Sequence, residues 1–449
     1  MKAILIVITL VIGYVIYRNK GITRFYYFVF GICLMSMNIV IIPDTPLYSH
    51  SLFILSYVAS LIHHNEFKLE YKRFPFKSIF IYLLIVNFLI GILDSRLSIV
   101  SQISRAIVNY LSTVFCLFVG YSSLKSTRDW NLICKKCAPI FTIMAIYGLC
   151  TWVLQSNPYN DIVHASFGST DIWKNVQERG YRVYSTMNNP IPYGAVMGLA
   201  TLYIGTNRLL IKNSLIKIIV SLCFVNILFT YSRSAIVGFC IAVIVFLILN
   251  NKNPLKLFKI ILTASVVLTI LYFSMPSISN VFDLIFDVFL TGGNNAKGSN
   301  IELKGLQLDT SIKYFLNAPF FGNGFRYFQE ELASGKTVSY DGSLAGLEGY
   351  FFVMLVENGI FMISGMITFF AMLIWYPIKR IKIGYVCYLS IALTIFFIFF
   401  IYITGTYGNI YVYFMTFIGI AIKYIQIKDH INIASPAHKT MRSPKQLII

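Results

Sequence analysis

Residues 299–324 read SNIELKGLQLDTSIKYFLNAPFFGNG, inside a stretch from Pro276 to Glu348 that cannot lie within a membrane. The stretch holds eight acidic and five basic residues in a chain that otherwise avoids charge. Ser299 with Glu302 fits a capping box, where a hydroxyl and a carboxylate satisfy backbone N–H groups at a helix start. Ile301, Leu308, Ile312 and Phe315 then share one side at about 3.6 residues per turn. This spacing predicts an amphipathic helix over about 300–316, with Lys304 at the edge of the apolar stripe and Lys313 opposite it. Asn317 to Pro319 end the helix, and Gly322 and Gly324 permit a tight turn. Val281 to Leu290 is a second apolar run with Asp283 and Asp287 one turn apart, read as an interfacial helix rather than a metal site. The whole stretch reads as an external loop closing over a site on a transmembrane bundle.

Around this loop the 449-residue chain is 57% hydrophobic and only 12% charged, against about 25% charged in a soluble domain. Apolar runs long enough to cross roughly 30 Å of hydrocarbon recur throughout. They are continuous rather than alternating, which excludes a barrel and requires helices. The expected fold is therefore all-α, a polytopic transmembrane helical bundle of about thirteen spans (about 12 to 14), with a long external loop containing amphipathic helices. Its expected organisation is helices one to six over 1–155, a first periplasmic loop over 156–189, and helices seven to ten over 190–276. The large periplasmic loop follows over 277–348, then helices eleven to thirteen over 349–425 and a basic cytoplasmic tail over 426–449. Residues 3–17 are followed by Arg18, Lys20 and Arg24 with no small-residue cleavage site, and read as a retained first span.

The net charge of +19 would suggest a nucleic-acid partner in a soluble protein. Here 25 of the 37 Lys and Arg fall in one set of alternating connections, the pattern of cytoplasmic loops, so the charge reads as topology and no nucleic-acid partner is expected. No cysteine falls in either large external loop, so no disulfide framework is implied. Cys134-Lys135-Lys136-Cys137 has the spacing of half a zinc site but lacks a second pair, and reads as a basic cytoplasmic turn. Neither metal nor cofactor is expected.

Four placements carry possible chemistry. Tyr231-Ser232-Arg233-Ser234 puts an arginine between two apolar spans, where it is either an interfacial anchor or part of an anion site. Arg182 precedes a polar run to Asn189-Pro190, a helix start whose N–H groups could join a guanidinium on an anion; the alternative is a solvated loop arginine. Glu348 and Glu357 bracket the start of the eleventh span. Glu357, about two turns inside, is either paired with a buried cation or functional.

Arg182 to Pro190, Tyr231 to Ser234, the loop helix leading to Asn317-Ala318-Pro319-Phe320-Phe321-Gly322-Asn323-Gly324, and Glu357-Asn358-Gly359-Ile360 follow in that order. This set resembles the bacterial O-antigen polymerase and ligase superfamily, Wzy and WaaL, over roughly 180–375. Two departures are visible. The family commonly has an arginine where Lys304 stands, and its ligases typically carry a His-Asn pair where Glu348-Gly349 stands; the latter argues for a polymerase.

The resemblance implies glycosyl transfer at the outer face of the inner membrane, with the site facing the periplasm. A growing glycan would leave undecaprenyl diphosphate and join the next lipid-linked repeat unit. Departure of a diphosphate needs its developing charge stabilised, which preorganised guanidiniums can supply. Arg182 and Arg233 are the diphosphate candidates, with Lys304 and Arg326 as further cations, and Glu348 or Glu357 would accept or orient the acceptor proton. The implied partners are an undecaprenyl-diphosphate-linked oligosaccharide, membrane lipid, a chain-length regulator protein and a flippase. An O-antigen-type ligase is the alternative. A polysaccharide flippase or transporter is disfavoured by the long loop and the lack of repeats.

Overall fold

The computed structural model describes residues 1–42, 47–94, 96, 98–168, 181–207, 213–251, 253, isolated positions between 255 and 286, 301–327, 349–405 and 409–434. Among them the protein is all-helical, apart from an isolated bridge between Val40 and Tyr48. In chain order the helices are α1 (Lys2–Arg18), α2 (Gly21–Leu34), α3 (Ser49–His63), α4 (Phe67–Arg73), α5 (Lys77–Leu93) and α6 (Ile99–Ser112). There follow α7 (Cys116–Tyr121), α8 (Thr127–Leu154), α9 (Pro158–Phe167), α10 (Pro190–Gly205), α11 (Ser214–Phe229) and α12 (Arg233–Asn250). The last five are α13 (Ile301–Asn317), α14 (Tyr350–Glu357), α15 (Gly359–Lys379), α16 (Tyr385–Thr404) and α17 (Ile410–Ala434).

Among the described residues five helices, α8, α12, α15, α16 and α17, are long and apolar enough to cross a membrane, and α4 with α5 makes a sixth if their 110° bend is counted as one broken span. Three more, α2, α3 and α11, are apolar but shorter. The count of about thirteen spans is thus not established, while the multi-pass helical class is. Two apolar stretches of the sequence are broken. Residues 99–121 divide into α6 and α7 at Thr113 to Phe115, and 349–375 divides into α14 and α15 at Asn358.

The start of α8 also differs from the sequence reading. Cys134 to Cys137 reads as a basic turn in the sequence, yet the helix already begins at Thr127, where Ser126 and Asp129 form a reciprocal capping box. Cys134 and Cys137 lie inside this helix and are buried, while Lys135 is exposed on its other side.

The bundle is centred on α17, in which every residue from Ile410 to Ile425 is buried. It meets α7 with almost no side chain between them, because a Cβ on Gly120 or Gly419 would overlap the partner's backbone. One end of the bundle is basic and tied by ion pairs. Buried Arg24 reaches Glu66 at 2.8 Å, Lys125 pairs with the same carboxylate, Lys423 reaches Glu70 at 2.6 Å, and Arg380 reaches Asp429 at 2.7 Å. The opposite end gathers the described residues 36–42, 47–48, 94, 96, 98, 156–168, 181–189, 230–233 and 318–327, with the break at Asn358. Examples are Thr186 Oγ1 donating to the Cys33 carbonyl at 2.6 Å and Asn188 Nδ2 to Asn38 Oδ1 at 3.0 Å.

Candidate functional site

The first part of the site is built on the turn between α11 and α12. α11 stops at Phe229, and Tyr231 adopts a left-handed φ of 49° to reverse the chain within four residues. Ser232 caps α12, its Oγ accepting from the Ala235 N–H and lying 3.3 Å from Ser234 Oγ. Arg233 therefore stands at the first position of a helix, where the dipole and the unpaired N–H groups already favour an anion. It is half-buried.

Arg182 is brought to this same turn from about fifty residues away. Its Nε donates to the Thr230 carbonyl at 2.9 Å, and the Val183 N–H donates to the Phe229 carbonyl at 3.0 Å. The segment behind it is held rigidly: Asn157 and Asn160 donate to the Ser185 carbonyl, and Ser185 Oγ donates to the Met144 carbonyl at 2.7 Å. Asn189 caps α10 by accepting from the Ile191 N–H. Arg182 is buried rather than solvated. A buried guanidinium fixed by its Nε leaves its orientation set before any ligand arrives.

The second part is a clasp between the Pro319-to-Gly324 turn and the break at Asn358. The Asn323 and Gly324 N–H groups donate to the carbonyls of Val356 and Glu357 at 2.9 and 3.0 Å, while the Ile360 N–H donates back to the Pro319 carbonyl at 2.9 Å. Gly322 and Gly359 both have positive φ, 72° and 69°, and a Cβ on either would overlap the other strand of the clasp. Asn323 Nδ2 spans from the Tyr314 carbonyl to that of Val356, tying α13 to α14. The Glu357 side chain is buried and accepts from the Arg326 N–H through Oε2 at 3.0 Å.

Sequence reasoning missed three residues at this clasp. Asp94, at the end of α5, is buried and takes Arg96 through both carboxylate oxygens. Arg96 and Arg105 each reach the Phe325 carbonyl at 3.5 Å. The signal was present: Arg105 falls among the apolar residues of 1–155 expected to form the first six spans, where arginine is costly.

Arg182 and the Arg233 turn are thus together, as are Arg326 and Glu357. Both parts lie at the end opposite the ion-paired basic end, linked through α16, which packs against α12 and α14. Glu348 lies outside the described residues. So does the Lys304 side chain, although its backbone lies in α13. Among the described residues no group of three or more His, Cys, Asp or Glu side chains could hold a metal ion.

Fold and site together define a multi-pass, all-helical membrane protein with a polar site at the end of the bundle opposite its basic end. Within that class, residues 218–363 match the family model Wzy_C, described as O-antigen ligase, so the resemblance to the O-antigen polymerase and ligase superfamily holds. The matched segment contains Arg233, α13 and the whole clasp, but not Arg182, Arg96 or Arg105. The teichuronic acid biosynthesis protein TuaE of Bacillus subtilis (strain 168) is 24% identical over 229 residues. That match covers 48% of this chain and 45% of TuaE, so it spans under half the length of the relative.

Proposed function

We propose that the protein is a surface-polysaccharide polymerase that joins undecaprenyl-diphosphate-linked oligosaccharide repeat units at the outer face of the inner membrane. The observation that carries this reading is the fastening of Arg182 to the turn that ends at Arg233, through the Thr230 carbonyl at 2.9 Å. Two guanidiniums held on adjacent segments suit a departing diphosphate, whose charge rises as the glycosidic bond breaks. Lys304 and Arg326 are further cations for the substrate, and Glu357 or Glu348 accepts or orients the proton of the acceptor hydroxyl. A chain-length regulator and a flippase are the partners this reaction would need. The similarity to a teichuronic acid biosynthesis protein supports polysaccharide synthesis as the setting.

A ligase is the second reading, favoured by the description of the matching family model. Glu348-Gly349 in place of a His-Asn pair favours the polymerase. Purified protein should lengthen a lipid-linked repeat unit without nucleotide and without added metal. In cells, deletion should leave a surface glycan of a single repeat unit. A deletion strain with no repeat units at the surface would support a flippase instead, and transfer of a finished chain without extension would support the ligase.

A further inference from the structure

Among its described side chains, the side that α13 buries is polar. Gln307 is 1% exposed and Ser311 is fully buried, its Oγ donating to the Gln307 carbonyl one turn back. Leu308, Ile312 and Leu316 form an outward ridge that continues into Phe320, and the last two are 67% and 61% exposed. Successive ridge residues turn by only about 40° around the helix, because four residues slightly exceed one turn. Phe315 is half-buried between the ridge and the buried side. On the far flank of the ridge, Asp309, Lys313 and Asn317 are exposed. The helix thus has three sides: one packed and polar, one exposed and apolar, one exposed and hydrophilic.

The level of this ridge follows from α15. Phe320 stacks on Phe361 with ring centres 5.9 Å apart, and the Phe361 N–H donates to the Phe320 carbonyl. Phe361 begins an exposed stripe of α15 that runs through Ile367 and Trp375 to Ile378. Since α15 is long and apolar enough to cross a membrane, that stripe is its lipid side. The 21 residues of α15 measure about 31 Å at 1.5 Å each, which matches the hydrocarbon thickness. At the basic end Lys379 lies over the Trp375 ring, an aromatic and a cation of the kind that mark an interface, so Phe361 and Phe320 stand at the opposite boundary. The short helix α14 lies across that boundary, because it runs from Gly349, against Tyr402 and Gly405 at the end of α16, to Glu357 beside the start of α15. Packed on α14 and tied to it by Asn323, α13 shares its level.

We propose that the ridge of Leu308, Ile312, Leu316 and Phe320 seats α13 in the bilayer leaflet on the clasp side, covered by the acyl chains of membrane lipid. The ridge joins the lipid-facing stripe of α15 at Phe320, and its hydrophilic flank is the side a helix at this depth turns to water. Such a helix sinks roughly 5 to 10 Å into the boundary of headgroups and chains. The clasp gains a second task, since Asn323 and the Phe320 carbonyl fix the depth of α13 against α15. The inference does not depend on which reaction the protein runs.

The test is spin-label accessibility on the full-length protein in phosphatidylglycerol and phosphatidylethanolamine nanodiscs. The exposed Cys150 and Cys240 are first replaced by serine, and single cysteines are then placed on α13 for labelling. Labels at Ile312→Cys and Leu316→Cys should collide more with oxygen, which concentrates in hydrocarbon, than with a water-soluble nickel chelate. Labels at Asp309→Cys and Lys313→Cys should show the reverse, so the contrast between the two reagents changes sign between the neighbours Ile312 and Lys313. If Ile312→Cys does not fold, Leu308→Cys reads the same ridge. Nickel favoured at every position would mean a helix standing in water, and would overturn the inference. Ridge labels shielded from both reagents would mean that protein covers the ridge, whether a second copy or residues 328–348 of this chain, and would overturn it equally.

Discussion

The buried carboxylate of Glu357 accepts the backbone N–H of Arg326 at 3.0 Å, so the acid expected to handle a proton also holds the turn that carries a candidate substrate cation. The two duties separate by substitution. Glu357→Gln keeps an oxygen for the Arg326 N–H and removes the charge. It should abolish chain extension while the melting midpoint holds. Glu357→Ala removes both, and should in addition cost about 1.5 to 3 kcal/mol, the worth of a hydrogen bond to a charged group. Normal glycan length from Glu357→Gln would reduce this acid to a structural role.

Arg233 offers a sharper distinction. A planar fork matches a diphosphate where an ammonium does not, so Arg233→Lys should be nearly as damaging as Arg233→Ala. Loss of such a contact costs roughly 10² to 10³ in rate, by analogy with deleted oxyanion-hole donors. Glycan length at matched protein level is the measurement, and full-length chains from Arg233→Ala would make the residue an interfacial anchor.

The clasp can be tested without touching a charge. A Cβ on Gly359 would stand 2.6 Å from the Gly322 nitrogen and the Phe320 carbonyl, at a φ of 69°. Gly359→Ala should therefore cost at least about 2 kcal/mol through left-handed strain and overpacking, read as a lower melting midpoint in detergent. Gly305→Ala is the control. It lies in α13 with nothing within 4 Å of the added carbon, and should be neutral or slightly stabilising.

At the basic end, pH should act through Glu66. Burial pushes its carboxyl up, but hydrogen bonds from Lys125 and Arg24 and their charges outweigh this and hold it below the ordinary range. A lowered folded-state value gives stabilisation that is complete above the unfolded value of about 4.3 and is lost as pH falls through the folded one. The melting midpoint of wild type should fall with acidification below about pH 4, and that of Glu66→Gln should fall less. Glu66→Ala leaves the buried Arg24 without its carboxylate and should cost about 3 to 5 kcal/mol at neutral pH.

Sidedness is open to reporter fusions. An alkaline-phosphatase fusion after Lys336 should be active and one after Lys382 silent, because the basic connections belong on the cytoplasmic side. The reverse pattern would put the site on the wrong face for a lipid-linked glycan.

The helices were legible because each apolar run has to satisfy its own backbone in lipid, and little else in the sequence competes with that signal. The start of α8 was not, since Lys135 was read as marking a turn when it rides on the exposed side of a helix whose other side buries Cys134 and Cys137. The order of Arg182, Arg233, the glycine turn and Glu357 along the chain pointed to the family. Their pairing did not follow from order, because the bonds that make it, Arg182 to Thr230 and Arg326 to Glu357, run between backbone and side-chain atoms far apart in sequence. Arg96 and Arg105 escaped notice because one sits in a short connection and the other inside an expected span. The Phe325 carbonyl, over two hundred residues later, brings them together.

The central position of α17 has a consequence for how the chain is made. Synthesis runs from the N-terminus, so Glu70 is in place long before Lys423, which follows 353 residues later and reaches it inside the finished bundle. Until then the groove beside Gly120 has no occupant and Glu70 has no Lys423 to face. Until Ile410 onward is made, the earlier helices lack the one they pack around. A chain that stops before Ile410 therefore lacks the buried axis of its own bundle.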